Sequence, residues 1–341
     1  MSQSEAHLAP HAALTAESVI DYLVDRGVVD EGGGTVEVLS GGVSADAFAV
    51  HASNGSWVVK QALARLKVAA EWRADPSRIL NEAAALQVVG DRVPDSVPSV
   101  ASVDQDRLIL VMQHAPPDLH DWKSELMAGG SEGSADTAAR LGEILAALHA
   151  GTFGDPILAS RFGDTESFVD LRIDPFHRAV ARRLPDLAGP LGALAAELTE
   201  HPKCLVHGDY SPKNVLASGP SAWVIDWEVA HFGNPVFDLA FMLAHLMCKT
   251  AHAPRHRAVY RGCAQNFLTA YNRDVPGALK PDPFGLVRHT AAVVLARTDG
   301  KSPAAYLEPP QREAAQRAAI ELLNARSIDS DVVQQLWSVL T

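Results

Sequence analysis

The run Val206-His207-Gly208-Asp209-Tyr210-Ser211-Pro212-Lys213-Asn214, followed by Val224-Ile225-Asp226-Trp227-Glu228, orders three oxygen-bearing side chains in a way that fits phosphoryl transfer. That reaction needs a carboxylate to orient an attacking hydroxyl and accept its proton. It also needs an amide oxygen for Mg²⁺ and a second carboxylate linking metal and phosphates. Asp209, Asn214 and Asp226 supply these parts in that order. A strand-turn-strand hairpin with polar turn formers explains one Asp–Asn pair but not the ordered set. Glu228 either adds a carboxylate near the metal or caps the next segment. Asp238, just ahead of an apolar helix, reads as structural, whether as N-cap or as a brace for the loop. His207 reads as scaffold, because Asp209 already fills the role of base.

The elements that must position these residues follow from periodicity. A helix is expected from Thr15 to about Arg26, with Thr15 as N-cap and Gly27 as terminator. Strand-type runs follow at 36–39, 47–50 and 57–60. Gly41-Gly42 lies between the first two, and Asn54-Gly55 marks a hairpin turn between the second and third. Asp75-Pro76 opens a second helix that runs to about Val89, and two further strands flank Asp104. Beyond Pro116 the helical period dominates, as in Ala138–His149, where Leu141, Leu145 and Leu148 share a face. The β-rich to α-rich shift divides the chain into an N-terminal nucleotide-binding lobe, 1–113, and a C-terminal catalytic and acceptor-binding lobe, 114–341. The stretch Gly129-Gly130-Ser131-Glu132-Gly133-Ser134 reads as a mobile surface loop.

His-Gly-Asp with Asn five residues beyond the Asp differs only at its middle residue from the H-R-D-x-x-x-x-N loop of protein kinases. Three further parts of such a site can be sought in the N-terminal lobe. Gly41 and Gly42 offer a flexible backbone over the phosphates. Lys60, ending Trp57-Val58-Val59-Lys60, is placed to reach the α- and β-phosphates, or else is a solvated strand-end lysine. Glu82 lies three residues after Ile79 and four before Leu86, so it shares the apolar face of its helix. A carboxylate there is costly unless it meets a cation, and Lys60 is the candidate.

Composition narrows the class. The 341 residues suffice for one large or two medium domains, and 47% apolar with 21% charged residues fits a soluble globular protein. A formal charge of −12 argues against a nucleic-acid partner and is compatible with a cationic acceptor. Cys204, Cys248 and Cys263 are too few and scattered for a disulfide framework or a zinc site, so a reducing cytosol is the expected compartment. The longest apolar run, Leu239 to Cys248, is too short to span a bilayer, and no secretory pattern opens the chain. A cytoplasmic protein with no membrane partner is therefore expected.

On His207-Gly208-Asp209-x-x-x-x-Asn214, Ile225-Asp226-x-Glu228 and Asn234-Pro235-x-x-Asp238-Leu239-Ala240, the chain resembles the aminoglycoside phosphotransferase superfamily. In the first lobe, Val59-Lys60-Gln61-Ala62-Leu63, Trp72 and Arg78-Ile79-Leu80-Asn81-Glu82 look like its methylthioribose kinase branch, from which the catalytic loop departs. The resemblance implies an α+β, two-lobed, protein-kinase-like fold, with a small β-rich N-terminal lobe and a larger helical C-terminal lobe. It implies ATP or GTP with Mg²⁺, the nucleotide lying between the lobes with adenine near Val111, Met112 and Gln113. Asn214, Asp226 and Glu228 would face the metal. It also implies a small hydroxylated acceptor held mainly by the helical lobe. Charged clusters ending apolar segments supply acceptor-side candidates in Arg172, Asp174, Arg297, Asp299 and Lys301, each of which could instead be a solvated helix-end charge.

Gly300-Lys301-Ser302 is not a Walker A motif, because Leu295 stands where its first glycine belongs. No Asp-Phe-Gly and Ala-Pro-Glu pair brackets an activation segment, which disfavours a protein substrate. The expected function is an O-phosphotransferase acting on a small metabolite or antibiotic. The alternative is a non-catalytic nucleotide-binding scaffold of the same fold.

Overall fold

Alternating apolar residues in the first part of the chain close a five-stranded antiparallel sheet in the order β1-β2-β3-β5-β4. The strands are β1 (Gly34–Leu39), β2 (Ala45–Ala52), β3 (Gly55–Ala62), β4 (Val100–Asp104) and β5 (Ile109–Gln113). The computed structural model describes residues 13–39, 45–62, 75–328 and 331–340. The chain divides into two units: Met1–Gln87 with Pro98–His114, and Val88–Val97 with Ala115–Thr341. The fold is α+β, a β-sheet region followed by a larger helical part.

In the first unit, helix α1 (Val19–Asp25) lays Val19, Tyr22 and Leu23 on Phe48, Val50, Val59, Ile109 and Val111 of the sheet. Strand side chains alternate between faces, so Val59 toward α1 sends Lys60 to the opposite face. There it meets helix α2 (Arg78–Gly90). Three local details differ from expectation. Regular α1 begins only at Val19, but Thr15 caps the turn that leads into it: Thr15 Oγ1 accepts from Ser18 N–H, Ser18 Oγ accepts from Thr15 N–H, and Val19 N–H donates to Thr15 O. The β2–β3 corner is Ser53-Asn54, one residue earlier than expected, with Gly55 at φ +153° resuming the strand. Gly129–Ser134 is a tied turn: Gly130 N–H donates to Glu125 O, and both Ser131 Oγ and Ser134 Oγ donate to Glu125 Oε1.

The helical unit begins with β6 (His120–Asp121), α3 (Trp122–Met127) and α4 (Ser134–Thr152). Short helices α5 (Pro156–Arg161) and α6 (Glu166–Phe168) lead into a π-helical stretch, Val169–Arg178, then α7 (Ala179–Arg183) and α8 (Ala188–Glu200). Strand β7 (Cys204–Val206) pairs with β10 (His231–Gly233), and β8 (Val215–Ser218) lies between β6 and β9 (Ser221–Val224). The remaining helices are α9 (Val236–His252), α10 (Arg257–Asp274), α11 (Pro283–Asp299), α12 (Pro309–Asn324) and α13 (Val332–Ser338). Helix α9, apolar on nearly every face, is buried along Val236–Ala251 and forms the axis of this unit, as an all-round apolar helix in a globular domain must. Among the described residues no helix is long and apolar enough to cross a membrane.

Helices α4 and α10 cross closely at Gly142, where a Cβ would sit 2.3 Å from Phe267 O and 3.0 Å from Tyr271 N. Alanine in a helix interior ordinarily gains about 1 kcal/mol over glycine. Overpacking against backbone, which cannot rotate away, costs about 1–3 kcal/mol and outweighs that gain. Gly142→Ala is therefore expected to lower the unfolding midpoint in urea, opposite to the sign that helix propensity alone gives.

Candidate functional site

The loop after β7 is held from below by one buried carboxylate. Asp238, in the first turn of α9, accepts from His207 N–H at 2.7 Å and from Gly208 N–H at 2.9 Å. His149 Nε2 of α4 lies 3.4 Å from its Oδ2, and His149 Nδ1 pairs with Tyr271 OH at 3.0 Å. Burial by itself would raise the Asp238 carboxyl, but hydrogen bonding and charge from His149 and His207 hold it below the usual range. Asp238 is thus the brace of the two structural roles the sequence allowed; no side-chain cap bond forms at the N-cap, Pro235.

Gly208 has φ +75°, and a Cβ there would lie 2.7 Å from Val229 O, so both conformation and space require glycine. His207 Nε2–H donates to Ile225 O, and its Nδ1 accepts from Asp209 N–H, which fixes the tautomer. Ile225 N–H in turn donates to Asn214 O at 3.0 Å. These bonds stitch the residue before Asp226 to both ends of the loop. Asp226 itself adopts φ +69°, a conformation uncommon outside glycine and tolerated by Asp.

Asp209 is buried and surrounded by donors. Its Oδ2 receives Lys213 Nζ at 2.8 Å, Arg172 Nη2 at 3.1 Å and Asn214 Nδ2 at 2.9 Å. Burial pushes its carboxyl upward, yet Arg172 and Lys213 together hold it well below the ordinary carboxylate range, so it is ionised at neutral pH. Asp209 in turn raises the Lys213 ammonium, against the opposing effect of burial.

Arg172 reaches this position from the π-helical stretch. Pro175 brings no N–H to Leu171 O, four residues earlier, and Arg172 Nη1 donates to that carbonyl at 2.8 Å. Its Nε donates to Gly208 O at 2.8 Å, and its guanidinium lies over the Phe176 and Phe241 rings. The sequence named Arg172 as an acceptor-side residue; the structure places it on the loop and on Asp209.

Other sequence candidates fall as follows. Lys60 and Glu82 meet at 2.7 Å in the first unit. Val111 and Met112 are buried within β5, which is paired on both sides, and Gln113 ends that strand, exposed. Gly41, Gly42 and Trp72 lie outside the described residues. Glu228 is half-buried two residues past Asp226. Asp174 pairs with Arg178 at 2.5 Å on the exposed side of the π-helical stretch. Arg297 Nη1 donates to Ser302 O and Oγ, and Lys301 N–H donates to Pro175 O, which brings these two clusters together. Sequence reasoning assigned nothing to Lys213 or His149. Lys213 sits four residues after Asp209, and that spacing was the available signal; His149 offered none beyond its place on a helix end.

Among the described residues no group of three or more His, Cys, Asp or Glu side chains forms a metal cage. The donor set here is different. Asn214 Nδ2 is taken by Asp209 O and Oδ2, which turns Oδ1 away as a free acceptor. An amide oxygen and, past the hairpin, the Asp226 carboxylate are hard-oxygen donors of the kind Mg²⁺ takes.

Asp238→Asn would set an amide N–H₂ against one of two buried N–H donors, at a cost of about 1–3 kcal/mol. Because the folded pKa is depressed, the carboxylate's contribution is full above the ordinary value and declines as pH falls through the folded one. The gap in unfolding midpoint between wild type and Asp238→Asn is therefore expected to be widest near neutrality and to narrow on titration into acid. A gap that stays constant on acidification would show that the brace does not act through its charge.

The phosphotransferase enzyme family, APH, matches residues 35–281. Methylthioribose kinase 2 of Oryza sativa subsp. japonica is 25% identical over 226 residues, 59% of this chain and 53% of that protein. A methylthioribose kinase of Bacillus cereus is 27% identical over 268 residues, 69% of this chain and 66% of its own length. The chain thus spans about half the length of the rice relatives it matches. A choline/ethanolamine kinase family protein of Mesorhizobium loti shares the fold, with TM-score 0.53, 19% identity and coverage of 95% of this chain and 96% of that one. With a braced His-Gly-Asp loop, an Asn and Asp beside it, and a family match over most of its length, the chain belongs to the phosphotransferase enzyme family.

Proposed function

We propose that this protein is a small-molecule kinase that moves the γ-phosphoryl group of ATP, with GTP as the alternative donor, onto a hydroxyl of a small metabolite or antibiotic. The observation that carries the reading is Asp209: an ionised, buried carboxylate whose Oδ2 is fixed by Arg172, Lys213 and Asn214. Its partners are a nucleoside triphosphate and a small hydroxylated compound, with neither nucleic acid nor membrane involved.

In the reaction the acceptor oxygen bonds to the γ-phosphorus while the bond from phosphorus to the β-bridging oxygen breaks and the nucleoside diphosphate leaves. The acceptor proton passes to Asp209. A carboxylate held below its usual range is a weak base, so Asp209 works chiefly by aligning the hydroxyl and takes the proton late, which a loose phosphoryl transition state permits. Arg172 and Lys213 keep the carboxylate from rotating. In the first unit, Lys60, positioned by Glu82, is the cation for the nucleotide phosphates. Mg²⁺, held by Asn214 and Asp226 with Glu228 close in sequence, would neutralise charge on the phosphate oxygens.

The test is product mass after incubation with ATP or GTP and Mg²⁺ across a panel of hydroxylated compounds. Wild type is expected to give a phosphorylated product. Asp209→Asn is expected to lose turnover by at least about 10²-fold while still binding nucleotide. Lys60→Ala is expected to weaken nucleotide binding. Nucleotide binding with no transfer in wild type to any acceptor would instead favour the scaffold reading.

A further inference from the structure

The face of α9 that begins with Asp238 continues through Phe241 and His245 to Lys249, at helical intervals of three and four residues. Phe241 carries the Arg172 guanidinium 5.6 Å from its ring centre and packs 5.0 Å from the His245 ring. Asp209 and Lys213 are among the charges that act on His245. One turn further, Lys249 is 1% exposed, with Nζ 5.6 Å from the centre of the Tyr306 ring. Arg297, in the last turn of α11, approaches the same place and is held through Nη1 by Ser302.

The polar atoms left over in this cluster share one chemistry. His245 Nε2, Arg297 Nε and Tyr306 OH are closed to solvent and have no hydrogen-bond partner among the described residues. The neighbouring carboxylates are engaged elsewhere. Asp299 faces Arg183, Thr298 and Gln316, and Asp121, within electrostatic reach of Lys249, accepts from Ser124 N–H and Oγ. Lys123 adds a further positive charge. Burial, with these cations, brings the Lys249 ammonium down to about 8. A ring contact replaces only part of the hydration such a cation gives up, and buried charges are normally paired. Buried cations and polar groups gathered beside the Asp209 loop suit an anionic group.

We infer that Lys249 and Arg297, with His245 and Tyr306, form the acceptor-recognition site and take an anionic group, a carboxylate or a phosphate, carried by the hydroxylated acceptor. This rests on the kinase reading above. The cluster offers donors for both oxygens of a carboxylate, and its His245 end adjoins the Asp209 neighbourhood, where the hydroxyl must lie. A cationic acceptor would meet like charge here, so the overall acidity of the chain misdescribes this site.

The test pairs acids with neutral counterparts: glycerate with glycerol, gluconate with sorbitol, and glycerol 3-phosphate as the phosphate arm, with choline and kanamycin as cations. Thermal stabilisation and phosphorylated product are read for wild type, Lys249→Met and Arg297→Gln. Acids are expected to stabilise wild type and neutral or cationic compounds not to. The carboxylate and phosphate arms show which anion is preferred. Each variant should weaken acid binding roughly 10- to 100-fold, the loss expected of a charge-assisted hydrogen bond, with nucleotide affinity unchanged. Lys249→Met should also raise the melting temperature of the unliganded protein, since it removes an unpaired buried charge. Choline or kanamycin binding better than the acids, or acid binding untouched in both variants, would overturn the inference. Acid binding that is lost in the variants, with no phosphorylated product from wild type, would uphold this site and defeat the kinase reading alone.

Discussion

The helical unit depends on one buried carboxylate. Asp238 accepts two consecutive backbone N–H groups, those of His207 and Gly208, and no water is needed to satisfy them. A fully buried charge is a heavy cost unless hydrogen bonds and charge partners compensate it, and here two N–H donors and His149 do so. The result is a loop turned at Gly208 into a positive-φ corner that lies against Val229 O. That corner explains why the middle residue of the triplet is glycine. Any side chain at 208 would collide with backbone, so cations for Asp209 must come from elsewhere, and Arg172 and Lys213 bring them.

Those two cations are not equivalent. The Lys213 side chain is 49% exposed, so solvent screens much of its pull, whereas that of Arg172 is 12% exposed and fixed through Nε and Nη1 to two carbonyls. Arg172 therefore sets the geometry of Asp209 more firmly than Lys213 does. The π-helical stretch makes this possible. Pro175 leaves the Leu171 carbonyl for the Arg172 side chain, and widened helical turns often accompany functional positions.

The parts that sequence disclosed are those whose chemistry is local. Asp209, Asn214 and Asp226 sit within a short stretch whose spacing names them, and Glu82 was legible because a carboxylate on an apolar helix face demands a cation. What sequence did not disclose is tertiary. His149 closes on Asp238 from a different helix, and Arg172 crosses to Asp209 from a stretch whose hydrogen-bond period is altered. For Asp238 the sequence left cap and brace open, and only its bonds to a loop 30 residues away decide between them. Local chemistry also misled at smaller scale. Glu125 ties down a glycine-rich turn that composition alone reads as loose.

One helix face joins these elements. Asp238, Phe241, His245 and Lys249 recur along α9 with the spacing that puts them in line. The first braces the loop, the second seats Arg172, the third lies next to that ring, and the fourth is the buried cation. Because α9 is enclosed along nearly its whole length, it cannot rotate or slide without breaking the core packing around it. The loop that carries Asp209 and the cationic cluster are therefore held in fixed register by a single rigid element. A change of side chain at 245 or 249 alters the charge and shape of the cluster while the brace at 238 stays in place. Such a helix lets the cluster vary without moving the loop that carries Asp209.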